Sequence, residues 1–454
     1  MHDAAPVSSA VSAVVLALLA AAKDRKLVLC VGAGLSLAAD ACLPSGARLG
    51  ELLDERLHGR LDGYESPEDP RNLIAVADAA AQLVDGLEAL QAEVLELADF
   101  KTATPNYGHQ ALALLLAEGA LTALSWNWDS CIERSLPAGE LLEVARTKDD
   151  AKNLAEPQLA KVHGCATMRP TLLITSEQLD KPPVWTEQTF AERIRGSVMV
   201  FVGIGDVADY AKRRIKDLLD EFSPPDVRVV SPSIKQKWDE SVWAELLPAL
   251  PEARRIEEDA DSFLDDLARA WARELTDRVQ ADRANVKAEV RAGVDRVLDA
   301  IGRLTAVDLI RWCRASIIRP EMGTSAVRAP NTGDVLLAAG VLAAGADGSV
   351  DVPRPACCSI GDEVVELLTL RDRASASDVQ REARRRAEEL SSREHLPEGT
   401  VRFLIGGTVL GALSEFGEPA DVLAGRIDPE DVVDGPQGVP ITYLKASTVL
   451  EEAA

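Results

Sequence analysis

The sequence predicts an α/β fold: a doubly wound parallel sheet, followed by a mainly helical C-terminal region. Short continuous apolar runs, such as Lys26–Val31 and Val198–Val202, have the character of strands buried on both faces. Segments with apolar residues at three- and four-residue spacing separate them, which is helical periodicity. Glycine pairs close two of the runs, Gly32-Ala33-Gly34 and Gly203-Ile204-Gly205, as tight strand-to-helix turns do. Strands alternating with helices build a parallel sheet.

Taken in order, Val11–Ala22 is an apolar stretch with no Lys or Arg before it, and a strand follows at once. It is therefore expected as a helix packed on the first domain rather than as a signal peptide. The strand Lys26–Val31 leads into helices from Arg48 to about Ala98. A turn-rich Thr104–Gly108 precedes a helix over His109–Glu118. Further strands are expected at Ala120–Trp126, Leu159–Val162, Val198–Val202 and Val227–Val230. After about Trp271 the chain becomes charged and helical to Arg303, which sets domains at 1–275 and 276–454. Loops are expected around Pro320–Gly333 and Asp347–Pro355. A capping-box spacing at Ser377–Gln380 announces an Arg/Glu-rich helix to Ser392.

At 454 residues, two to three domains are expected. The net charge of -25 disfavours non-specific nucleic-acid binding, which needs a basic surface, and docking on anionic membranes. Seven cysteines without a CxxC pair form neither a disulfide framework nor a zinc ribbon, as expected of a reducing cytoplasm.

Five short segments carry chemistry. Gly32-Ala33-Gly34-Leu35-Ser36 would let a backbone approach a pyrophosphate, with Ser36 adding a hydroxyl, or serve only as a tight turn. Ser125-Trp126-Asn127-Trp128-Asp129 ends a buried strand, where ligands bind in open α/β sheets. Asn127 there has no obvious packing role. Asp129 would cap a helix over Ser130–Ser135 or bond a ribose hydroxyl. Lys161-Val162-His163-Gly164 closes another strand with a histidine placed to face a cleft, whereas His109 is expected to open a helix. Val202-Gly203-Ile204-Gly205-Asp206 runs a strand into glycines, and Ser231 ends the last expected strand with a hydroxyl.

These segments, in this order, resemble the sirtuin superfamily over roughly residues 25–275. GAGLS followed by Leu43-Pro44-Ser45-Gly46 resembles that family's GAG-x-S and Leu/Ile-Pro loop. SWNWD is similar to its Thr-x-Asn-x-Asp motif with Ser125 for threonine, HG to its catalytic His-Gly, and VGIGD to its ribose loop. Pro105–His109 and Leu173–Glu177 resemble defence-associated sirtuin-like proteins, and the four-cysteine zinc module of the deacetylases is missing. The resemblance implies a sirtuin-like Rossmann variant that takes NAD+ as substrate and needs no zinc. It implies Asn127 and His163 as the catalytic pair. Gly32, Ala33, Gly34, Ser36, Pro44, Asp129, Gly203, Gly205, Asp206 and Ser231 would contact the dinucleotide.

The implied activity is NAD+ glycohydrolysis by an effector of antiphage abortive infection. The alternatives are an NAD-dependent protein deacylase and a non-catalytic NAD-binding regulatory subunit. The resemblance also implies a homo-oligomer, and as partner a hexameric HerA-type ATPase or a short Argonaute. Residues 276–454 would serve assembly, partner docking or regulation.

Overall fold

A computed structural model describes residues 4–83, 87–137, 139–154, 158–205, 209–317, 324–325, 333–346, 349–361, 363–369, 381–383, 385–386, 389, 401–406, 433–434 and 440–454. The chain forms two compact units, dividing between Ala268 and Arg269; Ala5–Ala10 belong to the second.

The first unit is the predicted α/β layer structure. Its strands are β1 (Leu27–Val31), β2 (Thr122–Ser125), β3 (Val144–Ala145), β4 (Leu159–Lys161), β5 (Val198–Val202), β6 (Asp226–Val230) and β7 (Arg255–Ile256). They lie in the order β3-β4-β2-β1-β5-β6-β7, every neighbouring pair parallel. All five residues of β1 are buried, as its uninterrupted apolar run requires of a central strand. One face packs Val28, Cys30, Met199 and Phe201 against Trp185, Phe190, Ile215 and Trp243. The short edge strands β3 and β7 escaped the sequence reading because two residues carry no periodicity.

Helix α1 (Ala13–Lys23) starts at Ser12, whose hydroxyl accepts from the Val15 amide, and buries Val15, Leu18, Leu19 and Ala22. Next come α2 (Gly34–Leu37), α3 (Gly46–His58), α4 (Leu73–Ala81), α5 (Leu87–Leu95) and α6 (Tyr107–Ala117). Helices α7 (Lys148–Asn153), α8 (Ser176–Asp180), α9 (Val184–Ile194), α10 (Asp209–Phe222), α11 (Val242–Leu246) and α12 (Ala260–Asp282) complete this part of the chain. After β1 the chain builds outward through β2 to β4, then returns to place β5 on the other side of β1. The carboxyl ends of β1 and β5 thus form a topological switch point, where open α/β sheets bind ligands.

The second unit is rich in helix, with α13 (Arg291–Gly302), α14 (Ala306–Ala315), α15 (Gly333–Ala344) and a final helix Ala446–Ala453. Gly293 and Gly340 let α13 and α15 touch: a Cβ on Gly340 would lie 2.6 Å from Val294 Cα. It also contains a six-stranded sheet that the sequence did not reveal. The strands are β8 (Val350–Arg354), β9 (Cys357–Ile360), β10 (Glu363–Thr369), β11 (Val401–Gly406), β12 (Val433–Asp434) and β13 (Pro440–Lys445), ordered β8-β9-β10-β11-β13-β12. Strand β8 takes most of the stretch expected as a loop over Asp347–Pro355. Pro353 hid it, and β8 tolerates proline because it is an edge strand. A carboxylate hid β10: Glu366 is fully buried in its middle, 3.5 Å from the guanidinium of buried Arg386. Arg386 also donates to the carbonyls of Leu367 and Ala315, so it is interior rather than the surface residue expected of an Arg/Glu-rich helix. The expected cap at Ser377–Gln380, and most of the loop expected around Pro320–Gly333, lie outside the described residues. No described helix is long and apolar enough to cross a membrane.

Candidate functional site

The turn after β1 is shaped by its neighbour. The amides of Gly32 and Gly34 donate to Val202 O at 3.0 Å and Gly203 O at 2.7 Å. A Cβ on Gly34 would sit 2.7 Å from Gly203 Cα, and Gly203 itself adopts φ +65°. Both loops at the switch point need glycine because backbone meets backbone there. Helix α2 is a single turn, with its first amides engaged by protein carbonyls. The free N–H groups and dipole expected of a following helix are therefore not offered, and Ala33 is the solvent-facing residue of the turn. Gly205 is exposed, with no contact for an added Cβ among the described residues, Pro44 is half-buried, and the Ser231 amide is tied to Ile256 O. Asp206 lies outside the described residues.

Ser36 is instead the centre of a buried polar cluster that also holds Asn127, Asp129 and His109. Its hydroxyl lies 2.9 Å from Asp129 Oδ2, 3.1 Å from Asn127 Nδ2 and 3.2 Å from His109 Nε2. The proton directions can be assigned. The Asn106 amide donates to His109 Nδ1, so His109 carries its proton on Nε2 and donates to Ser36. Asn127 Nδ2 also donates to Gly32 O at 2.9 Å, which fixes the amide's orientation. Ser36 thus accepts twice and donates to Asp129. This polarity differs from a nucleophilic triad, in which the histidine would take the serine proton.

His109 sits in the first turn of α6 as the third residue of a reciprocal capping box with Asn106. The sequence placed it at a helix start without giving it a role; the Asn106/His109 spacing was the available signal. Burial pulls its pKa down to about 4, with Asp129 opposing and Lys161 assisting. Burial alone would raise the Asp129 pKa, but the Lys161 ammonium, with His109, the Cys131 amide and the Ser36 hydroxyl, holds it below the ordinary carboxylate value. Lys161 is fully buried, donates to the Asp129 carbonyl and lies 3.8 Å from Glu133. Asp129 Oδ1 accepts from the Cys131 amide at 3.0 Å, so one carboxylate caps the following turn and holds Ser36. The helix expected over Ser130–Ser135 is only a 3-10 turn at Glu133–Ser135.

His109, Asp129 and Cys131 bring three donor atoms within 4.8 Å of one another. Each is engaged within the protein: Cys131 Sγ faces Ala103 O at 3.6 Å, and burial pushes its thiol up to about 12. The trio is satisfied as a hydrogen-bond network.

His163 occupies a different setting. Trp126 stacks on its ring with centroids 5.2 Å apart and planes 15° from parallel. Its carbonyl accepts from Trp128 Nε1 and the Leu173 amide, and Gly164 follows at φ +95°, pressed on Thr171 O. A narrow cleft joins Trp126 and His163 to Leu173, Thr186, Phe190 and Arg214. Burial, then the Arg214 charge, lowers the His163 pKa to about 4, so the imidazole is neutral at pH 7. The structure therefore gathers Ser36, Asn127 and Asp129 into one cluster, while His163 faces a cleft of its own, linked to them through the Trp126–Asp129 segment.

No known family and no curated protein matches the chain. Among solved structures it is similar to a Sir2 homologue mutant in complex with ADP ribose, at 17% identity and TM-score 0.35, covering 58% of this chain and 98% of that one. A second Sir2 homologue mutant–ADP ribose complex has 17% identity and TM-score 0.33, with coverages of 55% and 93%. A Sir2 homolog–NAD complex has 17% identity and TM-score 0.32, with coverages of 57% and 93%. These values are too low to transfer chemistry to this chain.

Proposed function

We propose that the chain is an NAD+ glycohydrolase, cleaving NAD+ to ADP-ribose and nicotinamide, and that it serves as an effector of antiphage abortive infection. The observation that carries the chemistry is a neutral His163 in a small cleft at one strand end, beside a strand end whose Asn127 is locked by two hydrogen bonds. Nicotinamide leaves NAD+ as a neutral molecule, so the site needs no strong acid. It needs a fixed ribose and an acceptor for the water proton. His163 supplies the acceptor. Asn127, both amide hydrogens committed, presents Oδ1 to a ribose hydroxyl.

A second reading, an inert NAD-binding subunit, is favoured by the placement of Asn127 in the buried Ser36 cluster while His163 faces a separate cleft. It predicts binding without turnover. Nicotinamide release from NAD+ by the purified chain is the test; deacylation of an acetylated peptide without that release would replace hydrolase by deacylase. We further propose a cytoplasmic homo-oligomer, with the second unit serving assembly or docking of a HerA-type ATPase or short Argonaute.

A further inference from the structure

The cleft at His163 is lined mostly by apolar groups, Trp126, Leu173 and Phe190 among them, with three polar side chains, His163, Thr186 and Arg214. It has room for about one water molecule. Arg214 projects from α10 and is anchored on one side, Nη1 donating to Glu187 at 3.0 Å. Its Nη2 is buried without a hydrogen-bond partner among the described residues. A buried guanidinium N–H left unmade costs free energy, so a cleft beside it selects an acceptor. Thr186, buried in α9, donates its hydroxyl proton to Pro183 O at 2.7 Å, which leaves its oxygen able to accept.

We propose that Arg214 is a water-positioning residue: its Nη2 holds the hydrolytic water in this cleft, between His163 and Thr186. This rests on the NAD-hydrolase reading. The water oxygen accepts from Arg214 Nη2, one hydrogen points to the His163 imidazole and the other to Thr186 Oγ1. One lone pair remains for attack. As the bond from the ribose C1′ to nicotinamide breaks, its electron pair leaves with the nicotinamide nitrogen. The water oxygen bonds C1′, and its proton passes to His163. Stacking on Trp126 fixes the plane of the accepting ring. The positive charge of Arg214 disfavours protonation of His163 before the water arrives.

The test compares the full-length wild type with Arg214→Met and Arg214→Lys, at high enzyme concentration in water containing methanol. ADP-ribose, its 1-O-methyl form and nicotinamide are quantified together. Arg214→Met is expected to lose at least about tenfold in hydrolysis and to shift product severalfold towards the methyl form, because water loses its site. Arg214→Lys, which keeps a charged N–H donor, is expected to recover most of the water preference. A wild type that hydrolyses NAD+ beside an Arg214→Met variant of unchanged rate and partition overturns this inference alone. A wild type that releases no nicotinamide overturns the hydrolase reading and this inference with it.

Discussion

His109 and His163 are both held neutral, their pKa values lowered from 6.5 to about 4, chiefly by burial. Between those values the unfolded chain binds a proton at each position and the folded chain does not. Stability is therefore full above pH 6.5 and falls as pH drops through that window, by about 1.4 kcal/mol per pH unit for each histidine. Melts at about pH 7 and about pH 5 should show this loss, and His163→Gln should remove about half of the slope. In activity, Asn127→Ala and His163→Ala should each reduce NAD+ turnover by about two orders of magnitude. Oligomer size by light scattering should not change. Nothing in the sequence ties Asn127 to folding, but its bonds to Gly32 and Ser36 do. A cost of about 1–2 kcal/mol in urea unfolding of Asn127→Ala is expected. For Asp129→Ala, a lost cap predicts about 1 kcal/mol. The structure raises this to about 2–3 kcal/mol, because Ser36 loses its acceptor and buried Lys161 loses a nearby negative charge, although it keeps Glu133 and the main-chain carbonyl of residue 129. Residue identities at strand ends were legible in the sequence. Their hydrogen-bond polarity was not, since it depends on His109 and Asn106 brought from another element.

At the scale of elements, the five long runs of the first sheet were visible because a strand buried on both faces must be apolar throughout. Glycine positions were visible too, but not their cause. Gly34 and Gly205 look alike in sequence, yet Gly34 is pressed on the Gly203 backbone, and a Cβ on Gly205 meets nothing within 4 Å among the described residues. Gly34→Ala should therefore destabilise by about 2–4 kcal/mol through forced backbone movement. Gly205→Ala should stay within about 0.5 kcal/mol. Denaturant midpoints of the two variants, measured side by side, check the contrast; equal midpoints would mean the two loops do not pack as described. The second sheet was illegible for a related reason. Its strand β10 carries a buried carboxylate whose partner Arg386 lies far along the chain, so neither apolar runs nor alternation announced it. Arg214, on the strongly charged helix α10, offered no sequence signal distinguishing it from its surface neighbours.

Over the whole molecule, charge decides what the chain can bind without a specific site. At a net charge of -25 acidic groups far outnumber basic ones, and displacing counterions from a nucleic acid needs a surface of the opposite kind. The Arg/Glu segment around 381–389 is the stretch that most invites the contrary view. In the structure, Arg385 is paired with Glu382 and Glu389, and Arg386 is buried against Glu366 and Glu382. Neither guanidinium is available to a phosphate without breaking an ion pair, and for Arg386 without opening the second unit. Arg386→Ala is thus expected to cost about 3 kcal/mol by removing a buried cation that pairs with both Glu366 and Glu382, and to act through folding alone. A duplex DNA or RNA titrated with the full chain at about 50 mM and about 200 mM salt should show no saturable binding at either. A complex that forms at low salt, weakens steeply with salt, and is lost in Arg385→Ala while the melting temperature holds would place a nucleic-acid contact on this segment and refute the prediction.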